Sequence, residues 1–88
     1  MGHAYTAELL SLALDENLTR ALGSALRALD ERIALAKKLH QDAERSGYPS
    51  MAEVWERKLR DFEREAELLR TSLRRLDEIS ARSANTNA

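Results

Sequence analysis

The sequence contains no cysteine, one proline, three glycines and only 5% aromatic residues in 88 positions. Without cysteine there is no disulfide, no thiolate nucleophile, no cysteine-based zinc site and no iron–sulfur ligand. The missing disulfides fit a reducing compartment, and a cytoplasmic location is the expectation. Neither charge sign is in surplus: 14 Lys and Arg face 15 Asp and Glu, for a net charge of −1. That balance argues against a nucleic-acid partner, which calls for a basic excess. No apolar run approaches the roughly 18 residues of a membrane span. The start of the chain has no basic region followed by an apolar stretch, so no signal peptide is expected. The length allows one small domain or part of a larger one. Its core must be thin, and a thin core calls for a staple or a partner.

Ala, Leu, Glu, Arg and Lys dominate what is there, and these are strong helix formers. The expected fold is all-α: a long antiparallel helical hairpin, coiled-coil-like, over 18–79. The one strong punctuation is Ser46-Gly47-Tyr48-Pro49-Ser50. Gly47 suits the left-handed position just past a helix end. Pro49 cannot continue the first helix. Ser50 with Glu53 reads as a capping box for a second helix beginning near Met51. So short a turn, 46–50, makes the two helices antiparallel neighbours.

The second helix carries the clearest pattern. Ala52, Trp55, Leu59, Phe62, Ala66, Leu69, Leu73 and Leu76 alternate spacings of three and four, an unbroken heptad seam. Acids precede bases four residues later on its outer faces, as in Glu53–Arg57 and Glu56–Arg60. The first arm has a matching seam at Leu22, Leu26, Leu29, Ile33, Ala36, His40 and Ala43. Folded about Gly47, Ala43 opposes Trp55, Ala36 opposes Phe62 and Ile33 opposes Ala66. Small then meets large, as close packing requires, and Trp55 and Phe62 are expected to be substantially buried.

A hairpin alone leaves apolar residues over. A second, weaker stripe on the first arm consists of Ala21, Ala25, Ala28, Leu35 and Leu39, interrupted by Arg32. Upstream, Leu9, Leu10, Leu12 and Leu14 have no partner within the hairpin. Residues 1–17 read either as a short separate helix, broken off at Asp15-Glu16-Asn17, or as an extension of the first arm, since Leu10, Leu14, Leu18, Leu22 and Leu26 stay four apart. These leucines are covered either by folding back as a third helix or by a second copy. The expectation is a homodimer built on a four-helix bundle, with Leu10 and Leu14 in or beside the interface. Residues 80–88 have no apolar period and are expected to be disordered.

Chemistry-bearing motifs are scarce. There is no Gly-rich phosphate loop, no His-Glu-x-x-His and no metal-spaced cluster, so no catalytic residue, cofactor or metal is expected. Ser50 has no base in view. Arg57, Lys58, Arg60 and Arg64 are interleaved with acids and read as a solvated face. Trp55 and Phe62 read as core rather than as a ligand-binding pair. His40 is the one functional candidate, as a phosphoacceptor or pH switch. Its plainer reading is a seam-edge histidine bonded to a neighbour or to water.

Three segments carry a family resemblance. Gly2-His3-Ala4-Tyr5-Thr6-Ala7-Glu8-Leu9-Leu10 resembles a segment just beyond the catalytic domain of bacterial chemotaxis-type protein-glutamate methylesterases (CheB-like proteins). The run from Ala25 to Ala36 is similar to the helix that follows there, and Phe62 to Arg70 resembles the family's last helix. The resemblance implies a C-terminal helical region from a two-component signalling context. The family's Ser-His-Asp esterase domain has no counterpart here, so the chain is expected not to be an enzyme. In that family a Gly-His-aromatic-Ser/Thr run often closes a small cysteine-containing element; its cysteines are absent here too, so the resemblance gives His3 no ligand role. Two functions follow as expectations: a non-catalytic oligomerisation or interaction module, or a phosphotransfer or sensing bundle using His40. A generic coiled-coil adaptor is a further alternative. Expected partners are a second copy and other signalling proteins, with no nucleic acid and no membrane.

Overall fold

Two helices account for nearly all of the described chain. The structure is a computed structural model, which describes the backbone of residues 2–86 and the side chains of residues 6–82. Helix α1 runs Gly2–Arg45 and helix α2 runs Pro49–Thr86, 44 and 38 residues long. They pack antiparallel as a hairpin, a rod of 69 × 17 × 12 Å. The fold is all-α, with no strand among the described residues.

The chain reverses through a glycine C-cap. Gly47 has φ +76°, a left-handed conformation that costs a residue with a Cβ roughly 1–2 kcal/mol. The Tyr48 N–H donates to the Ala43 carbonyl at 2.9 Å, and the Gly47 N–H donates to the Glu44 carbonyl at 3.2 Å. This nested pair is the Schellman closure of α1.

The start of α2 corrects the expected capping box. The Ala52 N–H donates to the Tyr48 carbonyl at 3.0 Å, which makes Tyr48 the N-cap and Pro49 the first helical residue. Ser50 therefore lies inside the first turn. Proline wins this position because its φ is already helical and its missing N–H is one the first turn leaves unpaired anyway. Of the two ion pairs expected on α2, Glu56–Arg60 forms at 3.4 Å; no Glu53–Arg57 pair forms.

Two further boundaries differ from or settle the expectations. α1 passes Asp15-Glu16-Asn17 without a break. All three side chains are exposed, and the Asn17 Oδ1 accepts a hydrogen bond from Arg20 at 2.5 Å, so this polar triplet leaves the backbone ladder intact. α2 continues to Thr86 instead of losing order from Ser80. Extending an established helix costs far less than nucleating one, so it outlasts the apolar period. Asn87 and Ala88 lie outside the described residues.

The interface between the arms follows the two heptad seams. The buried residues are Ala36, Ala43, Ala52 and Ala66. Among the described residues no large side chain is fully buried; Leu22, Leu26, Leu29, Ile33, Trp55, Leu59, Phe62, Leu69, Leu73 and Leu76 are half-buried, so Trp55 and Phe62 are less covered than expected. Small residues sit where the backbones approach, and the longer side chains lean over the open edges of a two-helix contact. The Trp55 ring is partly roofed by Lys58, whose Nζ is 5.3 Å from the ring centroid. Arg70 reaches across to Asp30 at 3.0 Å. That cross-arm pair sets residue 30 near residue 70, within two residues of the expected alignment of the two seams.

Candidate interaction surface

Four buried alanines make a weak core. At about 0.8 kcal/mol per buried carbon their methyls supply roughly 3 kcal/mol, and the half-covered seam must provide the rest. The chain exposes 6988 Å². A compact monomer of 10.0 kDa exposes about 5,200 Å². The rod shape is the source of the excess, and among the described residues ten large apolar side chains are exposed on it.

Its richest part is the N-terminal half of α1. Leu9, Leu10, Leu12, Leu14 and Leu18 are between 46% and 59% exposed. In the register marked by Asp30 and Arg70, the first ten or so residues of α1 extend past the end of α2. Where the seam continues here it turns polar at Asp15 and Glu8, so α2 has little to grip. The second stripe continues along the same helix: Ala21, Ala25 and Ala28 are exposed, Leu35 is 53% exposed and Leu39 is half-buried. Sequence reasoning located these residues, but it missed Leu68 at 62%, Met51 at 49% and Ile79 at 48% exposed. Those three lie off the seam of α2 with no apolar period linking them, so the sequence offered no signal for them.

His40 sits at the seam edge near the turn, with its side chain 22% exposed. Its Nε2 lies 3.2 Å from the Glu44 Oε1. Both line an open groove with Tyr48, Glu53 and Glu56. Glu44, Glu53 and Glu56 thus put three carboxylates on the groove that His40 lines, an acidic setting for a phosphoacceptor. Among the described residues, no group of three or more His, Asp or Glu side chains is placed to hold a metal. The His3 side chain and the Gly2–Tyr5 side chains of the family resemblance lie outside the described residues. No described helix is long and apolar enough to cross a membrane.

No family model, curated protein or solved structure matches this chain.

Proposed function

We propose that the chain is a non-catalytic helical interaction module that self-associates as a homodimer built on a four-helix core. The observation that carries this reading is the row of exposed leucines, Leu9 to Leu18, on a hairpin whose buried residues, among those described, are all alanines. Clusters of exposed large apolar residues mark association surfaces, and two-fold pairing covers those of both copies at once. The proposed setting is a cytoplasmic, chemotaxis-type signalling protein, in which the module would hold a methylesterase or a relative in an oligomer. That setting is supported by the sequence resemblance and by the lack of cysteine.

Sedimentation or light scattering tests the association. The wild-type chain should have the mass of a dimer, and Leu10→Glu with Leu14→Glu should shift it toward monomer and lower its melting temperature. A wild-type chain that is monomeric at high micromolar concentration would reject the reading.

A further inference from the structure

The second stripe of α1 reads nearly the same in both directions, with Arg32 against Leu18 as the one mismatch. From Leu10 it passes through Leu14, Leu18, Ala21, Ala25, Ala28, Arg32 and Leu35 to Leu39, in steps of three and four. Reversed about the point midway between Ser24 and Ala25, Leu10 falls on Leu39, Leu14 on Leu35 and Ala21 on Ala28, while Ala25 falls within one residue of itself and Leu18 within one residue of Arg32. Leucines occupy both ends and alanines the middle. Two helices that cross are closest at the crossing point and diverge toward their ends. Small residues at the centre permit the close approach, and long ones at the ends fill the widening gap.

Charge runs the same way. Residues 8–24 carry three acids and one arginine, whereas residues 25–41 carry four bases and two acids. Reversal lays the acidic half of one copy on the basic half of the other, twice. It brings Arg32, the one interruption of the stripe, next to Leu18 in the acidic half of the other copy. Among the described residues, Arg32, Asp15 and Glu16 form no ion pair within the hairpin. Parallel pairing would instead stack Arg32 on Arg32 and acids on acids.

We infer that the occupant of this face is a second copy lying antiparallel, α1 against α1, with the two-fold axis passing beside Ser24 and Ala25. The inference rests on the self-association proposed above and adds its geometry.

Single cysteines introduced into this cysteine-free chain test the direction, because a disulfide needs Cα atoms within about 7 Å. The three sites are exposed in the hairpin, and each variant is first checked for unchanged helicity by circular dichroism. On mild oxidation, Ala25→Cys should link to itself. Leu14→Cys mixed with Leu35→Cys should give at least tenfold more cross-linked dimer than either variant alone. A protein that sediments as a dimer while Leu14→Cys links readily to itself has parallel helices; this overturns the geometry and leaves the self-association standing. A dimer in which neither Ala25→Cys nor the mixed pair links uses another face, and it overturns the geometry equally. A monomer overturns both.

Discussion

The two ends of the rod are held in opposite ways. Near the turn, small residues lie between the arms: Ala36, Ala43, Ala52 and Ala66 are at most 8% exposed. At the far end, the largest apolar residues of α1 face outward, with Leu10 59% and Leu14 57% exposed. Both ends are built from the same helix-forming residue types. What differs is whether the apolar period of one arm finds a matching period on the other. Helix formation and helix packing are thus separable here: the helices continue where the packing stops.

The sharpest break of that contrast is one substitution made at each end. Ala66→Asp places a charge at a site that is 0% exposed. It should cost about 3–5 kcal/mol, the penalty of an uncompensated buried charge, and so abolish most of the hairpin's cooperative unfolding in urea. Leu10→Asp, measured in protein dilute enough to be monomeric, should change hairpin stability by less than about 0.5 kcal/mol. Equal losses at the two sites would mean that the ends are packed alike.

Next in size is a pair of glycines. Gly47→Ala should destabilise by about 1 kcal/mol, because a Cβ there finds open space but the backbone is left-handed. Gly23 lies inside α1, and a Cβ there meets nothing closer than an Arg27 guanidinium nitrogen at 3.9 Å. Gly23→Ala should therefore stabilise by roughly 0.5–1 kcal/mol. Thermal melts should show the two changes with opposite sign; the same sign for both would contradict the assignment of turn and helix.

The smallest effect concerns the cross-arm ion pair. Asp30 and Arg70 are half exposed, and such pairs contribute about 0.2–1 kcal/mol. Arg70→Gln should cost no more than that, and the difference from wild type should shrink as salt is raised. A loss that salt does not reduce would point to packing by the arginine stem instead.

The legible parts of this fold were those where one physical demand acts alone. The seam from Ala52 to Leu76 was readable because a heptad repeat has one geometric solution, and Gly47 because few residues tolerate its φ. The start of α2 was misread because two signals overlap within three residues. Ser50 with Glu53 fits a capping box, Pro49 fits the first helical position, and only one can hold. The lengths of both arms were harder, since periodicity reports packing and not backbone continuity: α1 is unbroken at Asp15-Glu16-Asn17, and α2 outlasts its last seam residue. For the interaction surface, the stripe from Ala21 to Leu39 and the leucines upstream were visible as letters. That Leu10, Leu14 and Leu18 continue the stripe depended on α1 being a single helix.

The hairpin brings the start of α1 and the end of α2 to the same tip of the rod, while the Gly47 turn stands at the opposite tip. Anything joined to either terminus therefore leaves from one side, and the rod acts as a stalk 69 Å long. Antiparallel pairing would point the two attachment ends away from each other. Bodies carried by the two copies would be kept apart by a fixed reach, so the module would set a distance as well as a stoichiometry.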